Sequence, residues 1–474
     1  MRTNRKQRFI IIGLGNRGRD SFARALLGFP GRGFPEFKER AEIVAFVDSN
    51  IERARVANEV LGTSFPVFAS ISDAATRHPA DWAVITTSDY THADVATAAI
   101  AHGLHVVIDK PLATSVWECN RIIEAGKKYD RQVVVGHNMR YNEYMLALAR
   151  LVRGGAIGKV QQIEAAEILD LDHGGSYFHR WHSEFDKSAG LMNHKCCHQL
   201  DIINWVIDDR PVGVSAMGDR TYYVPRTDIK TGTRCSDCSV TGQCPHFCNV
   251  NANYPGDRPE DAQRLRRMFV DVEHVDGYIR DRCVFSDRNT VNDRETLNIR
   301  YAGGATACFS LMTYAPREYN YFYFTGPEGR LEYSVVFDKE AKVKPVSEGA
   351  EMGYFPNEGK PQIRLFHKNG FVEFMDVETL HKGFGHGGAD VKLIASLLGV
   401  ELPGVDPIQR ATPEQARNAV SIADMAARSI AHGGRYVTLD ETGRDYPPFP
   451  PSPFSGYRIR NTSSDRSVMT TENK

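Results

Sequence analysis

Arg8-Phe9-Ile10-Ile11-Ile12-Gly13-Leu14-Gly15-Asn16-Arg17-Gly18 is the stretch that decides the fold. A continuous apolar run without polar alternation suits a strand buried on both faces, as in parallel sheets covered by helices. The glycines come at its end. Gly13 permits a tight turn, Gly15 lets a pyrophosphate approach the main chain, and Gly18 lets the next helix pack against the strand. A helix opening there points free N–H groups and its positive dipole end at an anion. The stretch predicts a dinucleotide site with Gly13, Gly15, Asn16, Arg17 and Gly18 at the phosphates.

Similar runs follow at residues 43–48, 83–86, 105–109 and 132–135, separated by helical spacing at 95–102 and 116–128. Residues 1–136 therefore read as an α/β domain around a doubly wound parallel sheet. Asp48 closes the second strand, where a carboxylate accepts hydrogen bonds from ribose hydroxyls and repels a 2′-phosphate; this favours NAD over NADP. The usual interval is about 20 residues, and the Gly/Pro stretch Gly28-Phe29-Pro30-Gly31-Arg32-Gly33-Phe34-Pro35 explains the longer one here. Residues 137–445 change character. Helical patterns at 141–153, 196–206, 389–398 and 413–431 accompany alternating strands at 159–171, 296–301, 305–313, 319–325 and 330–335, which predicts an α+β domain with an open, mostly antiparallel sheet. Residues 446–474, Pro-rich and then polar, are expected to be disordered or to form an arm over a neighbouring subunit.

The composition narrows the function. With 58 Lys+Arg against 59 Asp+Glu among 474 residues, the chain has no global field to draw it onto nucleic acid or an anionic membrane. No apolar run approaches the ~20 residues that span a bilayer, and no cleavage site follows the first apolar stretch, so a soluble, cytoplasmic protein is expected. Lys110 ends the strand at 105–109, where ligands of parallel sheets bind, and an ammonium there can polarise a carbinol or carbonyl oxygen beside a nicotinamide.

The Gly-rich loop, Thr87 with His92, Asp109-Lys110-Pro111-Leu112-Ala113, Val135-Gly136-His137-Asn138-Met139-Arg140 and Gly155-Ala156-Ile157-Gly158-Lys159-Val160 stand in the order found in the Gfo/Idh/MocA oxidoreductases, which the chain resembles. That family is named for glucose–fructose oxidoreductase and inositol dehydrogenase. The resemblance implies an N-terminal Rossmann domain, a C-terminal domain whose open sheet often mediates oligomerisation, and hence a homodimer or homotetramer. It implies a catalytic Lys110, with Thr87 and His92 near the cofactor; Asp109 and Asn138 are expected there too. Two departures are Asp109 in place of the usual Glu and Ser88 in place of the usual Pro. Gly190-Leu191-Met192-Asn193-His194-Lys195-Cys196-Cys197-His198 puts His194 where the family commonly has an Asp of the reaction centre and keeps His198.

Helical geometry would place His194 and His198 on one face, an arrangement suited to proton transfer or to metal binding. The reading adopted is that His198 takes a hydroxyl proton while Lys110 stabilises the alkoxide, with His194 and Lys195 beside them. His179, Arg180, Trp181 and His182 form a cationic and aromatic cluster fitted to an anionic sugar, since Trp stacks on sugar rings and Arg forks onto carboxylate or phosphate; the bland alternative is a surface loop with an oligomer contact. His386, in Gly385-His386-Gly387-Gly388-Ala389-Asp390, either lines the same cleft or belongs to a helix cap.

Nine cysteines include Cys235, Cys238, Cys244 and Cys248 in an insert at about 230–250. They read as a structural metal site, most simply zinc, or as free thiols, with a disulfide or iron–sulfur cluster as further options. The chain as a whole reads as an NAD-dependent oxidoreductase acting on a carbinol of a sugar, glycoside or polyol. One alternative is a glycoside hydrolase that retains NAD and cycles through transient oxidation, elimination, hydration and re-reduction. Another is a non-catalytic dinucleotide sensor.

Overall fold

A computed structural model describes residues 5–226, 231–250, 263–337 and 361–444, so the tail expectation for 446–474 lies outside the described residues. The first sheet holds β1 (Gln7–Ile12), β2 (Ala41–Val47), β3 (Val67–Phe68), β4 (Trp82–Ile85), β5 (His105–Asp109) and β6 (Val133–Gly136). Their spatial order is β3-β2-β1-β4-β5-β6, and every neighbouring pair is parallel. Strand order reverses between β1 and β4, which opens a crevice at the carboxyl ends of the strands. Ile10 and Ile12 face one buried helix layer, Phe9 and Ile11 the other, which is why the run shows no alternation.

The second sheet has the order β14-β13-β12-β11-β7-β10-β9-β8-β15. Its members are β7 (Gln162–Asp170), β8 (Pro211–Asp219), β9 (Arg294–Tyr301), β10 (Thr306–Ala315), β11 (Tyr319–Gly326), β12 (Gly329–Val336), β13 (Gln362–His367), β14 (Val372–Met375) and β15 (Val437–Thr438). All contacts are antiparallel except β10 on β7. Burial alternates along β9 and β10, so one face carries the core and the other does not.

The helices Glu143–Arg153 and Cys197–Ile207 cover that core. The helix Pro413–Ala431, capped by Thr412 and Gln415, packs on both β8 and the first domain's helix Val116–Lys128. Its Asp424 accepts a hydrogen bond from Val116 N–H, so the two units are fastened behind the crevice.

Candidate active site

The carboxyl ends of β1, β2, β4 and β5 and the loops of the second domain enclose one cleft of about 1260 Å³. At its first-domain end, Gly13 adopts φ +86, and a side chain there would collide with the main chain of Thr86. A Cβ on Gly18 would sit 2.0 Å from the carbonyl oxygen of Gly13, so Gly18 is a packing glycine behind the cleft. Gly15 borders the cleft and a Cβ there would meet nothing within 4 Å. That bare main chain, followed by the helical run that begins at Arg17, is the cradle a diphosphate requires. Asn16 and Thr87 also line the cleft.

Asp48 lies at the far side of the cradle. Its Oδ2 accepts from Leu14 N–H at 2.8 Å, its Oδ1 from Asn50 N–H at 2.9 Å, and Arg53 approaches Oδ1 at 3.3 Å. Burial raises its pKa, with Arg53 opposing. Each carboxylate oxygen retains acceptor capacity for a hydroxyl, so Asp48 fits a ribose.

Arg17 is engaged differently from the expectation of a phosphate contact. Nε and Nη2 donate to Asp109 at 2.9 and 3.1 Å, while Nη1 donates to Asp390 at 3.0 Å. Asp390 also accepts from Asn138 at 2.8 Å and meets Nδ1 of His386 at 2.7 Å. Burial opposes the charge on Asp109, but Arg17 holds its carboxyl below the usual range. Asn138 and His386 thus reach the cleft within one network with Arg17, joined by Asp390, the last residue of the Gly385–Asp390 motif.

Lys110 Nζ donates to the main-chain carbonyl of His194 at 2.8 Å, which joins the end of β5 to the second domain. His194, Lys195 and His198 all border the cleft beside it. The expected single helix face is corrected: Leu191–His194 and Cys197–Ile207 are separate helices with Lys195 and Cys196 at their junction. Lys195 is no free cation. It pairs with Glu167 at 3.0 Å, and Gln199 donates to the same carboxylate at 2.6 Å. Burial works against the Lys195 ammonium, yet Glu167 more than offsets that and holds it above the ordinary lysine range.

Nδ1 of His194 meets Oδ2 of Asp89 at 2.7 Å; Asp89 follows β4 and escaped the sequence reading. Burial pushes the Asp89 carboxyl up to about 7 despite the pull of His92 and Lys110. Burial and the charges of Lys110 and Arg180 depress His194 well below the usual imidazole range. His198 is depressed likewise, by burial and then by Lys110, His137 and Lys195. Both rings are held neutral.

Arg180, Trp181 and His182 border the cleft, and the rings of Trp181 and His182 pack on His194 at 5.3 and 4.2 Å between centroids. Like Gly18, His92 and His179 do not reach it. His92 sits behind, with Nδ1 at 2.9 Å from the carbonyl of Pro111 and Nε2 at 3.1 Å from that of Thr87, so it braces the loops that carry Lys110 and Thr87. His179 is buried against the carbonyls of Arg282 and His246, at 2.6 and 2.9 Å, and anchors the cysteine insert.

The zinc reading gains no support. Among the described residues no three His, Cys, Asp or Glu side chains are grouped to hold a metal ion. Cys235, Cys238, Cys244 and Cys248 stand as thiols, and burial pushes that of Cys235 up to about 12. Arg234, paired with Glu273 and Asp281 at 2.8 and 2.6 Å, fastens the insert instead.

Comparison with known proteins gives the same outline. Residues 7–137 match the oxidoreductase family with an NAD-binding Rossmann fold, and residues 145–332 match the GFO/IDH/MocA C-terminal domain. The chain belongs to the Gfo/Idh/MocA family. YteT of Bacillus subtilis (strain 168) is 24% identical over 449 residues, spanning 89% of this chain and 95% of that protein. Inositol 2-dehydrogenase of Klebsiella pneumoniae (strain 342) is 30% identical over 231 residues, 48% of this chain and 61% of that enzyme. Among solved structures, the aldose-aldose oxidoreductase from Caulobacter crescentus superposes with a TM-score of 0.57 at 16% identity, covering 92% of this chain and all of the other. The WlbA dehydrogenase from Chromobacterium violaceum, solved with NADH and UDP-GlcNAcA, gives 0.59 at 16%, covering 94% and 98%. At these identities the structural likeness establishes the fold. This Gfo/Idh/MocA chain is thus an oxidoreductase-family protein with an NAD-binding first domain.

Proposed function

We propose that the chain oxidises, or in reverse reduces, a carbinol carbon of a sugar, glycoside or polyol with NAD as redox partner. The observation that carries this reading is the meeting of Lys110 with the His194 segment at 2.8 Å, inside a cleft that also holds the glycine cradle and Asp48. NAD, when bound, supplies a hydride acceptor. The chain's own residues supply the rest: Gly15 and Asn16 offer main-chain room and N–H groups for phosphates, Gly13 makes the turn that presents them, and Asp48 offers acceptors for a ribose. Lys110 offers a cation to an oxygen that gains negative charge. The neutral imidazoles of His194 and His198 are the candidates to accept the hydroxyl proton. Trp181 offers an aromatic face to a sugar ring.

Arg180 favours a substrate bearing an anion. Its neighbours on the cleft wall are paired, Lys187 and Arg282 with Glu184 and Lys195 with Glu167. Arg180 instead donates to the carbonyl and hydroxyl of Ser176, at 2.8 and 3.1 Å, so its charge has no carboxylate counterpart among the described residues. The named activities of the relatives, on inositol and on aldoses, fit a polyhydroxylated substrate. Self-association is supported by Phe371 and Phe374, 71% and 64% exposed on and beside the edge strand β14.

The experiment is to incubate the protein with NAD and a panel of polyols, aldoses, sugar acids and aryl glycosides, following NADH and aglycone separately. NADH formation proportional to substrate consumed is the expected result. Aglycone release without NADH would replace it with the hydrolytic cycle, and binding of NAD with turnover of nothing would replace it with a sensor.

A further inference from the structure

The two imidazoles of the cleft are differently equipped to hold a proton. An imidazolium carries N–H on both ring nitrogens, and each needs an acceptor when buried. Among the described residues, buried Nδ1 of His198 has no hydrogen-bond partner, so protonation at Nε2 would leave a sealed N–H without an acceptor there. His194 has what His198 lacks: Nδ1 lies 2.7 Å from the Asp89 carboxylate, whose side chain is only 3% exposed, leaving Nε2 for a ligand.

We propose that His194, oriented across the domain boundary by Asp89, is the proton acceptor for the substrate hydroxyl, and that His198 is not. This rests on the reading of the cleft as a carbinol-oxidising site. With Asp89 ionised it accepts Nδ1–H, which fixes the tautomer and presents the Nε2 lone pair. The carbinol O–H bond breaks and its proton goes to Nε2. The O–H electron pair becomes the second carbon–oxygen bond, as the adjacent C–H hydrogen leaves with its pair to the nicotinamide oxidant. The carbon is oxidised, the nicotinamide is reduced, and the imidazolium is stabilised by the Asp89 carboxylate. Lys110 steadies the same oxygen while donating to the carbonyl of His194, so cation and base are tied to one residue. Asp89 is a positioning residue.

His92, Lys110 and Asp109 face Asp89. Arg180, His182 and Lys195 lie around His194, with Lys195 neutralised by Glu167. The short helix Phe185–Ser188, packed on the Asp89 turn, brings Asp186 and Lys187, the latter held by Glu184. The helix Pro413–Ala431 behind His194 keeps Arg428 on its own Asp424. Within this set burial pushes the Asp89 carboxyl up to about 7.

The test is kcat against pH, in the oxidative direction, for the full-length protein with NAD and the panel above. The wild type is expected to gain activity through a limb near pH 7 as Asp89 ionises. Asp89→Asn is expected to lower kcat about 100-fold with little change in KM and to abolish the limb. His194→Ala is expected to lose at least as much and to recover part of it with added imidazole, a readout that a folding defect would not give. His198→Gln is expected to keep the limb and lose less than about tenfold. Loss of the limb in His198→Gln, or its survival in Asp89→Asn and absence of imidazole rescue, would overturn the assignment. Turnover of nothing by wild type that binds NAD would instead overturn the functional reading, and the assignment with it.

Discussion

The ammonium of Lys110 donates to the main-chain carbonyl of His194 at 2.8 Å, a hydrogen bond between the first residue after β5 of one domain and a short helix of the other. The cation is therefore held at a fixed distance from the second domain before any ligand arrives. Preorganised charge of this kind stabilises an alkoxide without reorganising at the moment of reaction.

Lys110→Met keeps the stem and removes the charge. Activity is expected to fall on the order of 100-fold or more. NAD affinity, measured by fluorescence titration, is expected to stay within a few-fold, because the cradle and Asp48 are untouched. A parallel loss of NAD binding would move Lys110 from catalysis to cofactor binding.

Two glycines of the same loop should respond oppositely. Gly18→Ala places a methyl 2.0 Å from the Gly13 carbonyl and is expected to lower the melting temperature by several degrees. Gly15→Ala meets nothing within 4 Å in the fold and is expected to melt as wild type while NAD binds at least tenfold more weakly, the methyl occupying cleft space.

Cofactor choice should follow Asp48. With the carboxylate present, NAD is expected to bind more tightly than NADP, because a 2′-phosphate would meet a like charge. Asp48→Ser removes that charge beside Arg53 and is expected to shrink the NAD/NADP ratio of dissociation constants by about tenfold or more, measured by titration. An unchanged ratio would remove Asp48 from the selection.

Arg180→Gln is expected to raise KM for a sugar acid by roughly 10-fold while changing that for a neutral polyol little, since a charge-assisted bidentate contact contributes ~1.5–3 kcal/mol. Equal effects on both substrates would make Arg180 a structural residue of the cleft wall.

Stability should fall on the acid side of neutrality. Burial holds His137 and His246 down at about 4, so at intermediate pH the unfolded chain binds protons that the folded chain refuses. Stability is then full above the ordinary histidine pKa of ~6.5 and declines as pH falls toward 4, by up to about 1.4 kcal/mol per pH unit per group. Asp89 and Glu295, both raised to about 7 by burial, act in the opposite sense across the same range. His182, His194 and His198 reinforce the histidine side, so the melting temperature is expected to drop from pH 6.5 to pH 4.5. His137→Phe should flatten that slope.

Much of the frame was legible because burial on two faces leaves a plain mark. The strand 105–109 and the helices at 116–128, 389–398 and 413–431 form over the residues expected. β8 was missed because Pro211, Gly213 and Gly218 dilute its strand character, and β3 and β15 are two residues each. In the site, Lys110 and Asp48 were readable from their position at strand ends. Asp89 carried a weaker mark of the same kind, past the end of β4 in the loop that the Thr87-Ser88 departure had already singled out. His92 and His179 misled because a histidine in a polar motif looks the same whether it faces a ligand or a carbonyl. The break after His194 left no trace, since Lys195 and Cys196 are unremarkable in a helix.

The guanidinium of Arg17, clasped between Asp109 and Asp390, has a bearing on how a coenzyme is gripped. Both faces of its charge are already spoken for, so a diphosphate lying across Gly15 meets amide dipoles rather than a free side-chain cation. The clasp also ties the loop after β1 both to the end of β5 and to the helix Ala389–Leu398, so one side chain joins three elements around the cradle.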